Sequence, residues 1–165
     1  MNPHHLNLTL RPASERDSES LLSWRNHSNT RVFSLSSGIV TRDQHDMWLN
    51  KTLNDKNCLV LIGEVDSKPV GMVQIKILDN STLGQVSINL NPEERGKGIS
   101  RQMLGESLSY GHKIFDQISE YIAVIHVNNE ASKKIFEFLG FVRVSVSPVN
   151  NFETYLLNSE LLEIS

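Results

Sequence analysis

The sequence predicts a mixed α/β fold, and three observations carry that expectation. Cys58–Val65, Val70–Leu78 and Gln85–Leu90 are apolar or alternating runs separated by turn residues, the pattern of a strand meander. Segments on either side repeat their apolar residues at helical spacing and open on capping residues. In the second half, helical and strand patterns alternate, which places helices against a sheet instead of in a separate bundle.

The elements follow in order. A short strand is expected at about Leu6 to Leu10. Ser14 and Asp17 resemble a capping box, after which Leu21, Leu22 and Arg25 share one face of a first helix. His27 to Ser37 is polar, rich in Asn and Ser, and reads as a loop. Thr41 and Gln44 form a cleaner capping box, and His45, Trp48, Leu49, Thr52 and Leu53 follow on one helical face. The first two strands of the meander join through Asp66-Ser67-Lys68-Pro69, and Asp79 to Thr82 makes the next turn. After Pro92 a helix carries Leu104, Leu108, Gly111 and Phe115 on one stripe. Tyr121 to Val127 is a buried strand. A helix from Asn129 to Leu139 turns Ala131, Ile135 and Leu139 inward and Lys133, Lys134 and Glu137 outward, and Gly140 stops it. Phe141–Val146 and Phe152–Leu157 are the last strands. With no repeat or linker, residues 1–165 read as a single domain.

Composition excludes several functions. Sixteen Lys and Arg against 19 Asp and Glu leave a formal charge of -3, without the basic excess that phosphate-backbone contacts require, so no nucleic-acid partner is expected. No run approaches the about 20 apolar residues that span a bilayer, and the first residues lack a signal-peptide pattern, so no membrane partner is expected. Cys58 is the one cysteine, which suits a cytoplasmic protein. No Cys/His spacing fits zinc, and the adjacent His4 and His5 read as solvent-exposed, so no metal is expected.

The run from Gln85 to Ser100 carries the chemistry. Gly96 and Gly98 lie between a strand and a helix start, where a backbone without side chains lets an anion approach unpaired N–H groups and the positive helix end. Arg95 and Lys97 add charge beside it. A phosphate cradle and a simple glycine turn both satisfy this spacing. It is neither a Walker loop nor a dinucleotide fingerprint, since the further glycines are missing.

Asn91-Pro92-Glu93-Glu94-Arg95-Gly96-Lys97-Gly98-Ile99-Ser100 resembles the acetyl-CoA motif of the GNAT superfamily of N-acetyltransferases. Asn129 through Phe141, with its Asn, small residue, aromatic and Gly-Phe, resembles that family's second signature. Trp24-Arg25-Asn26-His27-Ser28-Asn29-Thr30, followed by Thr41 to Leu49 with His45 and Trp48, is similar to bacterial enzymes that acetylate UDP-linked 4-amino sugars for surface glycans. Related openings occur in acetyltransferases of ribosomal-protein N-termini and of small amines.

The resemblance implies a mostly antiparallel seven-stranded sheet with about four helices and splayed fourth and fifth strands. It implies acetyl-CoA as co-substrate, a small-molecule amine acceptor (a nucleotide-linked amino sugar) and a possible homodimer. Backbone groups of Ile88 and Leu90 would pair with the pantetheine arm, and an N–H near Leu90 would polarise the thioester. Amides of Arg95, Gly96, Lys97, Gly98, Ile99 and Ser100 would hold the pyrophosphate. Asn129, Ser132 and Phe136 would line the coenzyme site, with helix capping as the ordinary alternative for Asn129. Arg25, Asn26, His45, Trp48 and Gln74 would form the acceptor side. Core packing for Trp48, a helix hydrogen bond for His45 and a surface ion pair for Arg25 are the ordinary alternatives.

The sequence departs from its relatives at three positions. Phe136 stands where a tyrosine often protonates the thiolate, Val124 where a glutamate often sits, and Glu93 where the cradle often opens on Gln or Arg. His126 and His45 are therefore candidate bases, and a water oriented by Gln74 or Ser87 is the other route. A binding module for acyl-CoA without catalysis is the competing class.

Overall fold

The structure is a computed structural model that describes residues 7–79, 81–147 and 149–162. Seven strands form one sheet in the order β1-β2-β3-β4-β5-β7-β6. They are β1 Leu8–Pro12, β2 Cys58–Val65, β3 Lys68–Ile77, β4 Leu83–Leu90, β5 Glu120–His126, β6 Val142–Val146 and β7 Phe152–Asn158. All neighbours pair antiparallel except β4 and β5, which run parallel. The helices are α1 Ser18–Asn26, α2 Ser28–Arg31, α3 Arg42–Leu53, α4 Ile99–Ile114 and α5 Glu130–Phe138.

The two faces of the sheet explain the apolar patterns. Val60, Ile62 and Met72 turn to one face and pack with Leu21 and Trp24 of α1 and Leu49 of α3. Val73, Ile75, Val86 and Leu90 turn to the other, against Met103, Leu104 and Leu108 of α4 and Phe136 of α5. β2 and β3 are covered on both faces, hence their continuous apolar runs. β4 alternates because its second face, carrying Ser87 and Asn89, looks into a cavity.

Four local expectations are corrected. The first strand runs from Leu8 to Pro12, while Leu6, like His4 and His5, lies outside the described residues. The His27–Ser37 loop contains α2, whose first turn is capped by the His27 side chain accepting from the Asn29 N–H at 3.2 Å. The meander turn needs only Asp66 and Ser67, both at positive φ (49° and 62°), and Lys68 and Pro69 already belong to β3. On α5, Ala131 is exposed and Phe136 is buried, and Lys133 turns back to donate to the Val127 carbonyl at 2.7 Å.

One ion pair ties the start of the chain to the sheet. Asp17 is 4% exposed and receives both Arg11 Nη atoms, at 2.7 and 2.8 Å, and the Ser14 N–H at 2.8 Å. Arg11 also donates Nε to Glu64 on β2 at 2.8 Å. Burial alone would raise the Asp17 carboxyl, but Arg11 and the Ser14 amide outweigh it and hold it below the usual range. Stability from this group is therefore present above the unfolded carboxylate value and fades as pH falls through the folded one. Asp17→Ala should cost about 2 kcal/mol in urea unfolding at neutral pH, because it removes the carboxylate that holds both Arg11 Nη atoms while Glu64 keeps only Nε. The difference from the parent should shrink below about pH 4, where the unfolded carboxylate protonates.

Candidate active site

The parting of β4 from β5 makes the site. Their pairing consists of Leu83 with Glu120, Gly84 with Tyr121 and Gln85 with Ile122, and then the strands separate. The Leu83 carbonyl and the Asn91 N–H both bond toward β3, so odd-numbered residues of β4 direct their backbone groups that way. Ile88 and Leu90, being even-numbered, turn their N–H and C=O groups to the open edge facing β5. A cavity of about 870 Å³ fills the gap and is lined by both strands, α1 to α3 on one side and α5 on the other.

The loop after β4 supplies an anion cradle at one end. Gly96 and Gly98 adopt φ of +78° and +79°, and a Cβ at either would meet open space. Their glycine character thus answers to backbone conformation and approach from outside, not to crowding within the fold. Gly98 caps α4 without any side-chain bond, leaving the first-turn N–H groups of Ile99 onward for an incoming acceptor. Gly96 and Ser100 line the cavity, Ile99 is buried in the core, and Lys97 leans away to Glu94 at 2.8 Å.

On the α5 side, Asn129 caps the helix by accepting the Ser132 N–H at 3.2 Å, and both residues line the cavity. Phe136 lines it too, edge-on to Phe141 with ring centres 4.9 Å apart. Val124 and His126 project from β5 into the same space. His126 stands between Phe33 and Phe152, at 5.6 and 5.2 Å, and its Nδ1 accepts the Asn128 N–H at 3.2 Å. That bond puts the neutral ring's proton on Nε2, so this histidine offers a donor there and not the lone pair a base needs.

The opposite wall carries the remaining candidates. Gln74 and Ser87 are cross-strand partners, and Gln74 Nε2 is held by Cys58 Sγ at 3.2 Å. His45 is 3% exposed beneath Trp48, with ring centres 5.5 Å apart. Burial pushes its pKa below the ordinary imidazole value, and its Nε2 is buried without a partner. Trp48 keeps 36% of its surface exposed at the rim. Arg25 donates Nη2 to the Ser36 carbonyl at 2.6 Å, and its Nη1 is buried without a partner. Asn26 lies outside the cavity lining: its amide donates to the Val40 carbonyl and accepts the Val40 N–H, both at 2.8 Å, which fastens the loop between α2 and α3.

The electrostatics are one-sided. Among the described residues, the cavity lining contains Arg25, Arg95, His45 and His126 but no Asp or Glu. Thr30 enters the sequence reading only within the Trp24–Thr30 stretch and Phe33 not at all, because their segment reads as a loop; the His27 cap, three residues before Thr30, is the available signal.

The comparisons agree with this fold. Residues 7–142 match the family model of the acetyltransferase (GNAT) domain. The uncharacterized N-acetyltransferase YfmK of Bacillus subtilis (strain 168) is 27% identical over 115 residues, 69% of this chain and 75% of that protein. Spermidine N-acetyltransferase from Vibrio cholerae, solved with CoA and spermine, superposes with a TM-score of 0.85 at 19% identity, over 94% of this chain and 98% of that one. The acetyltransferase YncA of Salmonella typhimurium, described as putative and solved with acetyl-CoA, gives 0.80 at 19% identity, over 93% and 94%. At such identities the structures show a shared fold.

A folded-state pKa below the unfolded value makes His45 a source of acid sensitivity, since the unfolded chain takes up the proton first as pH falls through about 6.5. His45→Asn keeps a polar, planar side chain there and removes the titration. Its melting temperature should vary less between pH 7 and pH 5 than the parent's, by differential scanning fluorimetry.

Proposed function

This chain belongs to the GNAT acetyltransferase family, and we propose that its acceptor is the 4-amino group of a UDP-linked amino sugar. Its chemistry is acetyl transfer from acetyl-CoA to an amine nitrogen. The residues suit that co-substrate: an open strand edge at Ile88 and Leu90 for the pantetheine amides, and Gly96 to Ser100 for the pyrophosphate. Acetyl-CoA brings the activated thioester, and the protein aligns, polarises and moves protons.

The Leu90 N–H, on the open edge, is the donor we assign to the thioester carbonyl. The attacking amine must lose a proton. Gln74 and Ser87, side by side on the cavity wall, suit a water that receives it. The thiol leaves as an anion and needs a proton, which Phe136 lacks. The His126 Nε2–H lines the same cavity and takes the role of hydrogen-bond donor to the departing sulfur, while the proton itself reaches the thiolate from the water that took it from the amine.

The acid-free acceptor wall carries the substrate reading. A polyamine needs carboxylates to neutralise its ammonium groups, and the wall offers an unpartnered Arg25 Nη1 instead. A UDP-sugar brings the matching anion and a base that Trp48 suits for stacking. The likeness to spermidine acetyltransferases argues for a polyamine as the second reading, though at 19% identity it shows the fold alone.

Thiol release from acetyl-CoA should appear with a UDP-4-amino sugar and stay at background with spermidine or a ribosomal N-terminal peptide. Turnover with spermidine alone would reverse the acceptor assignment, and coenzyme binding without turnover on a wide amine panel would favour the non-catalytic module. Arg25→Ala should raise the acceptor KM about tenfold or more, the worth of one charged hydrogen bond. His126→Phe keeps the ring between Phe33 and Phe152 and removes the hydrogen bond to the departing sulfur, so it should lower kcat by about tenfold or more with little change in KM.

A further inference from the structure

Arg95 begins the glycine loop, yet its side chain leaves that loop for the other half of the cavity. Its Nη2 donates to Thr30 Oγ1 on α2 at 2.6 Å, with Asn89 Oδ1 at 3.5 Å. Neither partner carries charge. Burial lowers its pKa, the mark of a guanidinium that has lost water without gaining an anion. Arg25 lines the same cavity with Nη1 buried and unpartnered, and the neighbouring charge of Arg31 works against it as well. The ion pairs found among the described residues involve neither Arg25 nor Arg95. Each is a partly buried cation in an acid-free cavity, and no anion replaces the hydration it has lost.

We propose that Arg25 and Arg95 together form an anion site for the phosphates of the acceptor, which makes Arg95 an acceptor-binding residue and not a coenzyme ligand. The assignment rests on the acetyltransferase reading of the cleft. Backbone amides of residues 96–100 take the coenzyme pyrophosphate there, and the guanidinium of Arg95 is directed to a second anion. Guanidinium forks match phosphate oxygens in pairs, and a nucleoside diphosphate presents enough oxygens for both. Thr30 and Asn89 hold the Arg95 fork in place from the uncharged side.

The test is calorimetric titration of UDP, and separately of inorganic pyrophosphate, into protein already saturated with CoA at low salt. Saturation blocks the glycine loop, so heat from the second ligand reports the second site. Wild type should bind UDP, and bind pyrophosphate more weakly because the nucleoside contacts are missing. Arg95→Ala should lose about tenfold in UDP affinity while its CoA affinity stays within about twofold, and Arg95→Lys should recover part of the loss. Thr30→Val keeps the charge but frees the fork, so it should weaken UDP by a smaller factor. Arg95→Ala that weakens CoA and leaves UDP unmoved would return Arg95 to the coenzyme and overturn the proposal. Absence of UDP and pyrophosphate binding to CoA-loaded wild type would overturn it equally. A wild type that does not bind CoA at all would sink the coenzyme reading first, and this assignment with it.

Discussion

Everything at the cavity depends on the hydrogen-bond ladder that stops. β4 and β5 pair through three register positions and then part, which leaves the backbone of Val86 to Leu90 with β3 on one side and an opening on the other. An exposed strand edge inside a sheet is costly unless something satisfies it, so the gap is a binding feature by its own energetics. It cannot close, because β4 is pinned on its far side through seven register pairs with β3, and β5 through seven with β7. Each side of the opening is thereby held by its own hydrogen-bond ladder.

That opening also sorts the chemistry by side. The α4 face of β4 is apolar and packs the core, while the opposite face carries Ser87 and Asn89 beside Gln74. The glycine loop meets the cavity at one end of β4, and α1 to α3 roof the other half. Arg95 spans the two, with its backbone in the loop and its guanidinium against α2. The departures from the family pattern take on physical sense in this arrangement. Phe136 and Val124 put apolar side chains on that part of the cavity wall, and the histidine nearby has its Nδ1 engaged by the Asn128 N–H.

Much of the fold was legible because its signals are local. Capping at Thr41 with Gln44, the strict alternation of Gln85 to Leu90 and the apolar runs of β2 and β3 each follow from short-range rules. α2 was missed because a single helical turn carries no periodicity to detect, and Lys133 was placed outward because the Val127 carbonyl that captures it comes from a different element. Asn26 looked like a site residue by resemblance. In the fold its amide is spent on the Val40 backbone, 14 positions away.

The sequence by itself determined the element order, the glycine loop ahead of a helix, the second signature around Asn129 and hence the family. All of these are encoded in residues that neighbour one another along the chain. Tertiary structure decided which side chains face one another across the cavity. Arg25 and Arg95 come from α1 and from the loop after β4, and only the sheet's topology brings both to one acid-free wall. His45 and His126 are the same residue type, yet burial leaves one neutral with an unpartnered nitrogen and an Asn128 amide makes the other a donor. Charge and protonation depend on distances through space, and those are set only once the chain has packed.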